Sequence, residues 1–265
     1  MNGKGMAAWS VMTGKELLEL VRSFKLIWVP LVFILLGVMQ PVTSYYMPIL
    51  LEKAGNLPDG TVIEIPLPSG SQVLADTLSQ YGVMGMLILV LAFMGIVSGE
   101  RNSGAASILM VKPISILSYI GSKYAAMLLL AWGSLLAGYL ASWYYTWLLI
   151  ERVDFAPFMY SYLIYSLWLA FAMAATIWFS TLLRSAAGAA FASLGLAVLL
   201  SLLAGLMPKY FGWNPGALPG YAYQAVTGEI SQASRFGWSV GVTLLLAAIS
   251  LPGSAWLLRR SPSID

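Results

Sequence analysis

Residues 81–97 read YGVMGMLILVLAFMGIV and residues 98–115 read SGERNSGAASILMVKPIS, so one long apolar run gives way abruptly to a polar patch. The run is long and apolar enough to cross about 30 Å of hydrocarbon as a helix. The patch carries Glu100, Arg101 and Lys112 and stops at Pro113. Charged side chains cost several kcal/mol in lipid, so the patch lies outside the bilayer. Working outward, five further runs have the same character: Leu26–Met47, Tyr124–Ile150, Phe158–Leu183, Ser185–Met207 and Phe236–Leu258. Each is continuously apolar, without the alternation of a membrane barrel. The expected fold is an all-α membrane protein with six transmembrane helices, forming a single transmembrane domain over residues 1–265. The fourth and fifth runs meet at Arg184 and form a tight hairpin.

Composition agrees. The chain of 265 residues is 59% hydrophobic and 9% charged, with a mean hydropathy of +0.80. Soluble domains carry about a quarter charged residues, and one of this length could not bury so much apolar surface. There is no Cys and no His. Thiolate chemistry, disulfides and every Ser-His-Asp arrangement are therefore excluded. No secretory signal peptide is expected, because no cleavage-site pattern follows the first apolar run.

Lys and Arg set the orientation. With the N-terminus inside, Lys4, Lys15, Arg22, Lys25, Arg101, Lys112, Lys123, Arg184, Arg259 and Arg260 fall on the cytoplasmic side, against Lys53, Arg152, Lys209 and Arg235 outside. The expectation is a multi-pass cell-membrane protein with both termini cytoplasmic. Before the first span, Leu17, Leu20, Val21 and Phe24 recur at helical spacing, while Lys15, Glu16, Glu19, Arg22 and Ser23 occupy the other face. This suits an amphipathic helix in the headgroup plane, with a helix packed on protein as the alternative. Two outer segments stand out. Pro48–Gln80 reads as turns and short extended pieces, and Pro208–Arg235, rich in Pro, Gly and aromatics, as a re-entrant or surface-lying segment.

The six runs hold no Asp, Glu, Lys or Arg except at their ends, which argues against an ion-coupled transporter. Their polar groups are uncharged, among them Tyr139, Ser142, Thr176, Ser180 and Ser193. Helix–helix hydrogen bonding and a translocation surface for an amphiphilic substrate both account for them. Gly95 and Gly99 are spaced for close packing, and Pro30, Pro41 and Pro252 predict kinks or broken turns. In the polar patch, a helix from Glu100 to Val111 is expected to run parallel to the membrane, ended by Pro113 and presenting Ile108, Leu109 and Met110. Three apolar residues in water call for a cover of lipid or protein. Ser115 is placed to cap the helix that follows.

The patch resembles the ABC-2 type permeases, the membrane subunits of ATP-binding-cassette exporters. Gly99, Glu100, Arg101, Gly104, Leu109, Pro113 and Ser115 follow that family's G-E-R-x-x-G-x-x-x-x-L-x-x-x-P-x-S pattern, with Ala105 where the family often has Thr. The layout also agrees, down to Asn214-Pro215 before the last span. The resemblance implies that Gly99, Glu100, Arg101, Gly104, Ile108, Leu109, Met110 and Pro113 form a coupling helix docked in a separate ATPase subunit. It also implies a second permease protomer, the same or a homologous chain, with substrate carried between the two. No G-x-x-x-x-G-K-[ST] phosphate loop occurs, so ATP and Mg belong to the partner ATPase and no cofactor, metal or catalytic residue is expected on this chain. Nor is a nucleic-acid partner. The other readings are a non-transporting accessory or immunity protein of the same fold and a membrane-embedded lipid-modifying enzyme. The latter is disfavoured by the lack of His and by acids scattered over separate loops.

Overall fold

The computed structural model describes residues 3–54, 67–104, 115–228, 230–231 and 233–260. Every regular element among them is helical: α1 (Gly3–Arg22), α2 (Lys25–Ala54), α3 (Gly70–Gln80), a π-helical turn (Tyr81–Gly85), α4 (Met86–Phe93), α5 (Ser98–Asn102), α6 (Ile116–Leu149), α7 (Phe155–Leu182), α8 (Ala186–Leu206), α9 (Pro208–Phe211), a 3₁₀ turn (Pro215–Ala217), α10 (Leu218–Thr227) and α11 (Ala233–Arg260). Six spans are long and apolar enough to cross a membrane: Lys25–Pro48, Gly70–Asn102, Ile116–Leu149, Phe155–Leu182, Ala186–Leu206 and Ala233–Arg260. The protein is a multi-pass membrane protein.

α7 is the central helix. In its most apolar window 72% of residues are buried, against 22% for both α2 and α11 and 28% for α8. Its small residues Ala170, Ala172, Ala174 and Ala175 are all buried, letting neighbours approach from every side. The outer helices present Leu31 and Leu35 on α2, Phe191 and Leu206 on α8, and Leu245 and Ile249 on α11, each more than half exposed. Such continuous apolar faces belong in lipid or against protein.

α2 crosses α6 closely. A Cβ on Gly37 would stand 2.1 Å from the Gly138 carbonyl oxygen, and one on Gly138 would stand 2.4 Å from that of Phe33. The Tyr81 hydroxyl closes the crossing by donating to the Phe33 carbonyl at 2.8 Å. Gly95 and Gly99 do not play this role. A Cβ on Gly95 would meet Ala186 at an ordinary 3.7 Å, and one on Gly99 would meet nothing within 4 Å.

Several boundaries differ from expectation. The outer segment before the second span is not all turns, because α2 continues through Ala54 and α3 begins at Gly70. Ser69 caps α3 by accepting from the Gln72 N–H at 3.3 Å, and Val73, Leu74, Thr77 and Leu78 form its buried face. Pro30, Pro41 and Pro252 do not interrupt their helices. The Pro208–Arg235 segment turns back into the bundle: Asn214, Pro215, Leu218, Ala222 and Val226 are buried, and α10 packs against α3 and α7. The uncharged polar groups divide. Ser142 bonds Thr77 at 2.7 Å and Tyr139 bonds Ser161 at 2.9 Å across helices, whereas Thr176 and Ser193 donate back to carbonyls of their own helix.

Candidate functional site

The polar patch begins at one end of the bundle, where the chain leaves α4. α5 is a single helical stretch, Ser98–Asn102, with Glu100 in its first turn. It ends through Ser103 at Gly104, whose φ of 74° lies in the left-handed region that glycine enters without strain. The helix that starts around Glu100 therefore stops at Asn102 and does not run on unbroken to Val111. Ile108, Leu109, Met110 and Pro113 lie outside the described residues. Beyond them Ser115 caps α6, its hydroxyl accepting from the Ser118 N–H at 3.1 Å.

α5 is clamped to the C-terminal end of α7. The Ser180 hydroxyl oxygen accepts from the backbone N–H of Val97 at 3.2 Å and of Ser98 at 3.1 Å. These donors, at the start of a short helix, have no partner within it. Arg101 donates to the Thr181 carbonyl at 2.8 Å, and Asn102 donates to that of Arg184 at 3.0 Å. Arg101 thus serves the α7–α8 turn and does not pair with its neighbour Glu100.

Glu100 faces the other way, into a cluster of charges from α1 and α6. Its Oε1 accepts from Lys15 and from Lys123, both at 2.8 Å, and its Oε2 accepts from the Tyr119 hydroxyl. Lys123 also bonds both oxygens of Glu16 at 3.1 Å. Lys15 meets Glu16 at 3.1 Å and Glu19 at 3.6 Å. The Lys123 side chain is fully buried and that of Glu16 is 2% exposed. Lys15 sits at the wet edge. Partial burial disfavours its ammonium, but its hydrogen bonds to Glu100 and Glu16 and their charges outweigh this, holding its pKa above the usual lysine value.

Three carboxylates, from Glu16, Glu19 and Glu100, approach within 4.8 Å of one another. These three acids are thus gathered by the fold, contrary to the expectation of acids scattered over separate loops. Two lysine ammonium groups already lie among them and neutralise most of the charge, so the cluster is an ion-pair network and not a vacant cation site. A buried charge must keep its partners, so α1, α5 and α6 are held at a fixed register.

The cluster also sets the face of α1. Met12, Glu16 and Leu20 are its buried stripe, packed toward α6, while Leu18, Val21 and Phe24 are exposed. Glu16, read as part of the solvated face, is in the protein-facing stripe. Sequence spacing hid this: the bonded partners stand 85, 107 and 23 residues apart along the chain. Each charge taken singly satisfies the positive-inside pattern or an amphipathic helix, so nothing local marks it.

Comparison with known proteins agrees with this architecture. Residues 10–252 match the family described as ABC-2 family transporter protein. The chain is 37% identical over 250 residues to an uncharacterized transmembrane protein, YxlG, of Bacillus subtilis (strain 168), a match covering 94% of this chain and 96% of that relative. The match takes in α5 and its partners on α1, α6 and α7, and the chain belongs to the ABC-2 transporter family.

Proposed function

We propose that this chain is the permease subunit of an ABC exporter, driven by a separate ATP-binding subunit that docks on residues 99–113. The observation that carries the reading is the two-sided anchoring of α5. Ser180 and the Thr181 carbonyl hold one side, while Lys15 and Lys123 hold Glu100 on the other. A partner pressing on the segment after Gly104 would move a rigid joint continuous with α4, α6 and α7. That is what transmission of work into the spans requires. Family membership and the lack of a phosphate-binding loop support the same division of labour. ATP and Mg would be held by the partner, and the permease would work as a pair of like or homologous protomers. The docking end and both termini would face the cytoplasm, as the Lys and Arg distribution favours.

The test is ATP hydrolysis by the assembled complex. A charge at Leu109 should lower stimulated hydrolysis while membrane insertion stays intact, because that residue lies beyond the joint. Reversal of Glu100 should do the same with an added loss of stability. Unchanged coupled hydrolysis in the Leu109 variant sinks the docking assignment. Isolation of the chain as a stable assembly with no ATPase sinks the transporter reading itself.

A further inference from the structure

Lys25 differs from the other two lysines near α5. Lys15 and Lys123 are each met by carboxylates, whereas Lys25 forms no ion pair among the described residues. Its ammonium donates to the Ala92 carbonyl at 2.7 Å and lies 5.5 Å from the Phe93 ring centre. An ammonium has three donors. One bond to a neutral carbonyl and a ring contact leave the ammonium without a carboxylate partner among the described residues and with donors to spare for an incoming acceptor.

The side chain lines a recess of about 650 Å³ at the elbow between α1 and α2, opposite the end of α4. The elbow is made by Phe24, which turns the chain at a φ of 57°. The recess has two characters. Lys25, Glu19, Glu100 and Ser103 supply a polar wall; Trp28, Leu91 and Met94 supply an apolar one. Trp28 and Leu91 are 38% and 47% exposed, and along α2 Trp28 leads to the exposed Leu31 and Leu35. The recess therefore opens onto the face that a multi-pass protein gives to lipid. A ligand that fits has an anionic head for Lys25 and an apolar tail for α2.

We propose that this recess binds a phospholipid of the leaflet at the α5 end of the bundle, its phosphodiester accepting from Lys25 and its acyl chains lying along Trp28 and Leu91. A phosphodiester carries one negative charge, which matches one lysine; of the two acids on the same wall, Glu100 is already paired with Lys15 and Lys123, and Glu19 is met by Lys15 at 3.6 Å. Gly99, Glu100 and Ser103 of the recess lie in the segment proposed to dock an ATPase, whereas Lys25, Trp28 and Leu91 do not, so lipid retention is measured on the chain without an ATPase.

The experiment is native mass spectrometry of the purified full-length protein with phosphatidylglycerol, phosphatidylcholine and a diacylglycerol of the same chains. Both phospholipids should be retained, and the diacylglycerol, which lacks the phosphate, should not. Lys25→Gln should lower phospholipid retention about tenfold, the worth of one charge-assisted hydrogen bond, while Lys25→Arg should stay within about twofold. Gly99→Leu, which places a side chain in the recess, should lower retention with Lys25 intact. Thermal unfolding confirms that each variant is folded. Equal retention by Lys25→Gln, or of the diacylglycerol, overturns the proposal. Lys25-dependent binding of inorganic phosphate without lipid retention would reassign the recess to a soluble anion.

Discussion

Replacing Lys123 with Met tests the ionic joint most directly. The side chain is fully buried and bonds Glu16 Oε1 and Oε2 at 3.1 Å and Glu100 Oε1 at 2.8 Å. Met fills similar volume, so packing is largely kept and the loss is electrostatic. Glu16, itself 2% exposed, would be left with Lys15 at 3.1 Å as its one cationic partner among the described residues. Removing one member of a buried pair costs about 3–5 kcal/mol, mostly from the charge left behind. At about 2–4 °C per kcal/mol for a chain of this size, the apparent Tm should fall by about 6–20 °C. The assay is scanning fluorimetry in one detergent at one heating rate, since membrane proteins often unfold irreversibly. The double variant Glu16→Gln with Lys123→Met removes the stranded charge. It should recover part of the loss, with a coupling of about 0.5–3 kcal/mol. A Lys123→Met variant within about 1 °C of the native protein, or strict additivity in the double variant, would refute the reasoning.

Three further outcomes are expected. Ser180→Ala removes the acceptor for the Val97 and Ser98 N–H groups and should cost about 1–3 kcal/mol, with faster hydrogen exchange at those two amides; Ser180→Thr should restore most of it. Tyr119→Phe strips a donor from Glu100 and should cost about 1.5–3 kcal/mol, read as a lowered Tm under the same conditions. Gly138→Ala pushes a methyl to 2.4 Å from the Phe33 carbonyl oxygen, so α2 and α6 must separate, at about 1–3 kcal/mol. A neutral Gly138→Ala would show that the crossing is looser than described.

Much of the fold is legible along the chain because the bilayer imposes a local rule: a spanning helix must be apolar over its whole length. Six apolar runs therefore became six spans, and the very short hairpin at Arg184 is bridged by only Leu183, Arg184 and Ser185. Ser115 was legible as a cap for the same reason, since capping depends on a residue and the N–H three positions later. Local pattern and structure part where that rule stops. Gly70–Gln80 carries enough polar residues to read as loop, and its helix is held by burial of Val73, Leu74 and Leu78. The glycine pair of the tight crossing, Gly37 and Gly138, is divided between two helices, whereas Gly95 and Gly99 merely share one.

Apolar length and the Gly99–Ser115 pattern determine by themselves a six-span membrane protein of the ABC-2 family. Tertiary structure alone decided what holds Ser98–Asn102 in place. Lys15, Glu16, Glu100 and Lys123 are brought together from three helices, and Lys25 is left without an ion pair among the described residues at the mouth of a recess. The physical reason is range. Hydrophobic length and capping act within a few residues, while pairing of buried charges acts through space and is set only once α1, α5 and α6 have packed.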